Sequence, residues 1–193
     1  MEDRKFLGTE KIGSLLFKLA LPTVVAQLVN MLYNIVDRIY IGHIEGTGAL
    51  ALTGVGVCLP LILIVSAFAA LISSGGGPRA SIMMGHNDYD KAEEVLGNSF
   101  IMQVMISVVL TLILLIFNED ILLLFGASEN TIGYATTYMD IYAVGTIFVQ
   151  LTLGMNSFIT AQGFAKTSML SVIIGAFINI VLDPVFIFVF DMG

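Results

Sequence analysis

"TSMLSVIIGAFINIVLDPVFIFVF", residues 167–190, is an apolar run that holds a single charged side chain, Asp183, and a single proline, Pro184. A helix of about 20 apolar residues crosses the hydrocarbon core of a bilayer, so this run is long enough to span a membrane. Four further runs of this kind precede it, and the set covers about residues 14–44, 53–77, 98–117, 131–161 and 167–190. The pattern predicts an all-α integral membrane protein with five transmembrane helices.

The composition agrees with a chain that is solvated by lipid. It is 57% hydrophobic and only 12% charged, whereas soluble domains carry about 25% charged residues. Its basic residues are scattered, which argues against a nucleic-acid partner. The single cysteine, Cys58, excludes an intramolecular disulfide framework, and His43 and His86 show no metal-ligand spacing. We therefore expect the lipid bilayer as the main partner and no nucleic acid.

The distribution of Lys and Arg predicts the orientation. The loops 43–51 and 118–130 contain neither residue. If the N-terminus is cytoplasmic, seven of the eight basic residues fall on the cytoplasmic side: Arg4, Lys5, Lys11, Lys18, Arg79, Lys91 and Lys166. Arg38 is the exception, and we expect it to reach the interface at the outer end of the first helix. This asymmetry favours a cytoplasmic N-terminus.

Two carboxylates inside the apolar runs predict a functional site. Asp37 and Asp183 each lie seven residues before the outer end of their runs, so both are roughly 10 Å below that end. Asn179 is four residues before Asp183, on the same helical face. Carboxylates within a membrane usually face a bundle interior or a water-filled cavity. We expect Asp37, Asn179 and Asp183 to share a site that holds a proton or Na⁺.

Several neighbouring residues are further candidates. Asn30 and Asn34 share a helical face with Asp37, and Tyr33 lies beside them. Pro184 cannot donate a backbone hydrogen bond, so we expect it to free a carbonyl and to kink the fifth helix. Each asparagine has a simpler reading, since amides in membrane helices often only bind a neighbouring helix. Asp140 is a weaker candidate, because it lies close to the outer end of the fourth run.

A glycine-rich segment lies at the end of the second apolar run. "ISSGGGPRASIMMG", residues 72–85, lacks the G-x-x-x-x-G-K-[ST] pattern and follows an apolar run, so a phosphate-binding loop is not expected. We predict a break in the second helix here, on the cytoplasmic side, with Arg79 as a basic anchor.

Four stretches carry a resemblance to a known family. They are "LALPTVVAQLVNMLYNIVDRIYIGHIEGTGALA" (19–51), "SSGGGPRASIMMGHNDYDKAEEVLGN" (73–98), "NSFITAQGFAKTSM" (156–169) and "GAFINIVLDPVFIF" (175–188). In order and spacing they resemble the multidrug and toxic compound extrusion (MATE) transporters, particularly the bacterial efflux members. The resemblance extends over essentially the whole chain.

The resemblance implies an architecture and an activity. MATE transporters have twelve helices in two six-helix lobes, so residues 1–193 would be helices one to five of the N-terminal lobe. The sixth helix and the C-terminal lobe of the same polypeptide would then be missing partners, and we expect the chain to be the front part of a longer one. Such proteins, in the bacterial cytoplasmic membrane, export cationic or amphipathic drugs in exchange for H⁺ or Na⁺. No cofactor other than this coupling ion is implied.

The resemblance also implies roles for individual residues. Asp37, Asn179 and Asp183 match the ion-coupling acids and amide of the N-terminal lobe, and they would be the ligands of Na⁺ if Na⁺ is the ion. Tyr138 and Asn156 match a tyrosine and an asparagine of the fourth helix. The residues expected to line the substrate cavity are Asn30, Tyr33, Asn34, Tyr138 and Asn156. Asn30 matches a polar position of the first helix.

Three alternatives to a drug exporter remain open. A lipid-linked oligosaccharide flippase would favour a more cationic cavity, whereas Arg38 is the one arginine inside the runs. A membrane-embedded enzyme would need a nucleophile–base set, a metal cluster or aspartyl protease motifs, and none is visible in the sequence. A non-transporting membrane subunit is the third alternative. We expect a transporter and not an enzyme.

Overall fold

The computed structural model describes residues 9–190, and within that range it contains helices and no strands. The α-helices are α1 (Ile12–Gly42), α2 (Gly48–Gly85), α3 (Tyr89–Ile116), α4 (Asn118–Leu124), α5 (Ile132–Ala161) and α6 (Ala165–Pro184), and a π-helical turn (Val185–Val189) follows. All except the short α4 are long and apolar enough to cross a membrane. The predicted all-α fold with five membrane-length helices is confirmed. Arg4 and Lys5, which entered the orientation argument, lie outside the described residues.

The predicted break in the second helix is wrong. Helix α2 runs without interruption through the three glycines and Pro78 to Gly85. Packing explains why these weak helix formers are tolerated: a Cβ on Gly76 would lie 2.6 Å from both Phe158 Cζ on α5 and Ser99 Oγ on α3. The glycine lets three helices approach one another closely, and such small-residue contacts stabilise helix packing in lipid.

The turn between α2 and α3 lies after the glycine-rich segment, at residues 86–88. Asn87 adopts a left-handed conformation with φ of 59°, which ends the helix. Asp88 then caps α3, because its Oδ1 accepts a hydrogen bond from the backbone N–H of Lys91 at 3.3 Å.

The long helices form two groups. Helices α2, α3 and α5 pack into a compact unit, whose core contains Cys58, Leu61, Val65, Leu110 and Met139. Helices α1 and α6 pack mainly against each other, and they touch the first group less extensively, along α2 and α5. The two groups therefore face each other across a boundary that is less tightly packed than either group's interior.

Polar side chains connect the helices inside the first group. Gln103 on α3 and Gln150 on α5 are both fully buried, and Gln150 Nε2 donates to the carbonyl of Val65 at 2.7 Å. Thr111 Oγ1 donates to the carbonyl of Ala143 at 2.9 Å. The Gln103 amide has no hydrogen-bond partner among residues 9–190, but it lies so close to Gly154 that a Cβ there would overlap it. In lipid the hydrophobic effect does not drive helices together, so interhelical hydrogen bonds and close packing of the backbones stabilise their association.

Candidate functional site

Helices α1 and α6 carry the two predicted acids to the same place. Asp37 lies five residues before α1 ends at Gly42, and Asp183 lies six residues before the π-helical turn ends at Val189. Each is thus about 8–9 Å from its helix end along the axis. The two carboxyl groups are close enough to interact electrostatically. Both side chains are half-buried.

Asn179 orients the carboxylate of Asp183. Its Nδ2 donates a hydrogen bond to Asp183 Oδ1 at 2.8 Å, across one turn of α6. Asp183 Oδ2 is buried and finds no hydrogen-bond partner among the described residues. A buried carboxylate oxygen without a partner is costly in a medium of low dielectric constant. A proton or a small cation would satisfy it, so this oxygen fits a cation site.

Pro184 marks a change in helix type directly after Asp183. Helix α6 ends at Pro184, and the next turn is π-helical, with Phe190 N–H donating to the carbonyl of Val185 at 3.0 Å. Proline lacks the backbone N–H that an α-helix requires, and single π turns are frequent at functional sites. Tyr40 on α1 meets Phe188 edge to face, with ring centroids 6.3 Å apart, so α1 packs against this irregular turn.

A pair of tyrosines on α5 extends from the acid pair along the opposite helix group, and Tyr138 is the one near Asp37. Tyr138 lies within electrostatic range of Asp37 and Tyr33. Tyr142 stacks on Tyr138, with ring centroids 6.4 Å apart and an interplanar angle of 14°. The Tyr142 hydroxyl is buried and has no hydrogen-bond partner within residues 9–190. Tyr142 was not predicted, although its spacing of four residues from Tyr138 places both on one helical face.

The predicted asparagines of α1 and α5 form no hydrogen bond with the acid pair in the part of the chain that the structure describes. Asn34 is exposed, and its Nδ2 donates to the carbonyl of Asn30 at 2.7 Å, within its own helix. Neither Asn30 nor Asn34 has a hydrogen bond to Asp37 or Asp183 in the described part of the chain. Asn156 lies eighteen residues beyond Tyr138 on α5, which is about 27 Å along the axis. Its Oδ1 is nonetheless buried and without a partner among residues 9–190.

Asp140, the weaker candidate, belongs to a different contact. It is exposed, and its Oδ1 accepts a hydrogen bond from Asn118 Nδ2 at 2.6 Å. The same amide donates to the carbonyl of Thr136 at 3.0 Å. Asp140 thus helps to fix the short helix α4 against α5.

The donor set at the acid pair suits a hard monovalent cation or a proton. Its groups are two carboxylates and one amide, and oxygen ligands are those that such cations prefer. Over the described range there is no cluster of three or more His, Cys, Asp and Glu side chains that could hold a metal ion. The arrangement therefore offers oxygen atoms without the histidine or cysteine ligands that transition metals select.

Comparison with known proteins decides the family. The MatE family profile matches residues 22–185. This chain belongs to the MatE family. MatE proteins of known structure share its fold: the MATE transporter ClbM in complex with Rb⁺ is 29% identical with a TM-score of 0.85, covering 96% of this chain and 42% of that one. A MATE structure in the bent conformation gives 26% identity and a TM-score of 0.85, covering 93% and 39%.

Curated MatE relatives are multidrug export proteins. The multidrug export protein MepA of Staphylococcus haemolyticus is 28% identical over 190 residues, which are 97% of this chain and 42% of the relative. MepA of Staphylococcus aureus is 26% identical over 195 residues, covering 100% of this chain and 43% of the relative. The chain thus spans about two fifths of the length of these relatives. The predicted family and the predicted multi-pass membrane character are confirmed.

Proposed function

We propose that this chain forms the first five helices of the N-terminal lobe of a secondary active exporter that exchanges cationic or amphipathic drugs for H⁺ or Na⁺. The observation that carries the proposal is the acid pair: Asp37 and Asp183 interact across α1 and α6, and one oxygen of Asp183 is buried without a partner. The MepA relatives are named multidrug export proteins, and this supports the proposal that the exported substrates are drugs. No organic cofactor and no enzymatic reaction are part of it.

The coupling follows from charge and packing. A cation or proton at Asp37 and Asp183 lowers the negative charge between α1 and α6. The looser boundary towards α2, α3 and α5 can then adopt a different packing. A ligand shifts such an equilibrium only by binding the two arrangements unequally. If the drug and the cation favour opposite arrangements, binding of one weakens binding of the other. An antiporter requires such mutually exclusive binding.

The test of transport uses the full-length protein in proteoliposomes loaded with a fluorescent cationic drug. A pH gradient and a Na⁺ gradient are imposed separately. We expect one of the two to drive drug movement, and the effective gradient identifies the coupling ion. Correctly inserted protein that moves no drug under either gradient would contradict the proposal and direct attention to the flippase alternative.

The proposed orientation in the bacterial cytoplasmic membrane places the N-terminus inside. The exposed residues His86 and Glu129 lie at opposite ends of the helices and should therefore face opposite sides of the membrane. In cells expressing His86→Cys or Glu129→Cys, a membrane-impermeant maleimide should label Cys at position 129 directly and at position 86 only after permeabilisation. Cys58 is fully buried and should stay unlabelled in the folded protein. Any cysteine outside this chain is replaced beforehand. The reverse labelling pattern would invert the topology.

A further inference from the structure

A groove between α2 and α3 lies away from the acid pair. Its volume is about 500 Å³, within the range of roughly 300–1,000 Å³ that is usual for ligand sites. Charged residues line one part of it, namely Arg79, Lys91 and Glu94, and apolar residues line another, including Ile72, Met102 and Ile106. It adjoins the turn that joins α2 to α3, whereas Asp37 lies near the opposite end of the bundle, before the α1–α2 connection.

The lining changes from charged to apolar with depth. Measured from the shared end of the two helices, Lys91 is about 3 Å deep and Arg79 about 9 Å deep, at 1.5 Å per residue. By the same count Ile72 is about 20 Å deep and Ile106 about 26 Å. The groove thus has a charged mouth near the shared end of α2 and α3 and an apolar wall farther along them, where the hydrocarbon of a bilayer core about 30 Å thick is expected.

The charges at the mouth favour an anionic group. Lys91 Nζ pairs with Asp88 Oδ2 at 2.6 Å, outside the groove lining. Arg79 is exposed and makes no hydrogen bond or ion pair with any residue between 9 and 190. Its planar guanidinium can bind two oxygens of a phosphate at once. Lys91 is neutralised by Asp88, so Arg79 is the cation at the mouth that an anion would meet without a partner among the described residues.

The floor of the groove is open because of a glycine. A Cβ added to Gly75 would meet no atom within 4 Å, whereas one added to the neighbouring Gly76 would meet α3 and α5. Gly76 therefore holds the helices together, and Gly75 leaves the space between them empty. A side chain at position 75 could enter that space without disturbing the packing of the helices.

We propose that this groove binds an anionic glycerophospholipid, with its phosphate at Arg79 and one acyl chain along Ile72, Met102 and Ile106. The unpaired Arg79 guanidinium selects the headgroup, since basic side chains between membrane helices bind anionic lipid headgroups. The apolar wall lies deeper than Arg79 along the two helices, so an acyl chain could pack on it while the headgroup binds at the mouth. The proposal is independent of drug exchange and adds a lipid requirement to the lobe.

The test is the thermal stability of the purified full-length protein in a neutral detergent, titrated with phosphatidylglycerol, phosphatidylcholine or inorganic phosphate. A lipid that binds the folded state raises the unfolding midpoint. We expect phosphatidylglycerol to raise it and the other two additives to leave it unchanged. Arg79→Gln should weaken the apparent affinity for phosphatidylglycerol by about tenfold, the loss expected for one charge-assisted hydrogen bond.

A matched pair of variants separates filling of the groove from a general effect on α2. Gly75→Leu places a side chain in the groove and should weaken phosphatidylglycerol binding as strongly as Arg79→Gln. Gly56→Leu is the control, because Gly56 is also exposed on α2 with no atom within 4 Å of its Cβ position. The proposal is overturned if phosphatidylcholine stabilises equally, if inorganic phosphate alone reproduces the shift, or if Arg79→Gln and Gly75→Leu bind phosphatidylglycerol as the parent protein does.

Discussion

Replacing Asp37 by Asn should abolish gradient-driven drug efflux by the full-length protein and leave its membrane insertion intact. The substitution keeps the size of the side chain and removes the charge that, with Asp183, would hold the coupling cation. We expect the initial rate of efflux from proteoliposomes to fall by about 100-fold, near the upper range of coupling between two ligands. Asp183→Asn should have the same effect, since its carboxylate is the second half of the pair.

The matched control is Asp140→Asn. Asp140 is an exposed acid on α5, and its carboxylate accepts a hydrogen bond from Asn118. The new amide oxygen can still accept that hydrogen bond, so efflux should stay within about a factor of two of the parent rate. Parent-like efflux in the Asp37 variant would remove Asp37 from the coupling site. Equal loss in all three variants would show that any change of charge in the lobe is harmful, and that the acid pair has no special role.

The largest effect on stability should come from Gly154→Ala. A Cβ on Gly154 would lie 1.5 Å from Nε2 of Gln103, so this fully buried side chain would have to leave its present position in the interior. Overpacking of a tight interior costs about 1–3 kcal/mol, so the unfolding midpoint of the full-length protein should fall clearly. Circular dichroism during heating in detergent measures it.

Gly145→Ala on the same helix is the control, because its Cβ would meet no atom within 4 Å. Alanine is a better helix former than glycine by roughly 1 kcal/mol, so this variant should match or exceed the parent. Adding Gln103→Ala to Gly154→Ala should recover part of the loss, since the two residues share one space. If Gly154→Ala and Gly145→Ala melted alike, the close contact between α3 and α5 would be refuted.

The acid pair could be predicted because depth along a helix follows from counting residues. Asp37 and Asp183 lie at equal distances from the outer ends of their runs, and the helices do bring them within electrostatic range. The hydrogen bond between Asn179 and Asp183 follows equally from a spacing of four residues. Counting residues also gives about 27 Å between Asn156 and Tyr138 along one helix, so the sequence predicts that these two residues lie far apart.

Contacts between distant segments explain what could not be predicted. The continuity of α2 depends on Gly76 meeting Phe158 and Ser99, which lie on two other helices. Local propensity alone favours a break at three glycines and a proline. Gln103 and Gln150 read as ordinary polar residues in apolar runs, and only packing shows them to be fully buried at the contact of three helices. The stacking of Tyr142 on Tyr138, facing α1, likewise required the tertiary arrangement.

Cation release on drug binding tests most directly whether Asp37 and Asp183 hold the cation that is exchanged for drug. Purified full-length protein in weakly buffered detergent solution is mixed with a cationic drug, and the released H⁺ is followed with a pH dye. A parallel sample is equilibrated with radioactive Na⁺, and the displaced ion is counted. We expect drug to release one of these ions from the parent protein and from Asp140→Asn, but not from Asp37→Asn or Asp183→Asn. Undiminished release from both acid-pair variants would show that the cation is held elsewhere.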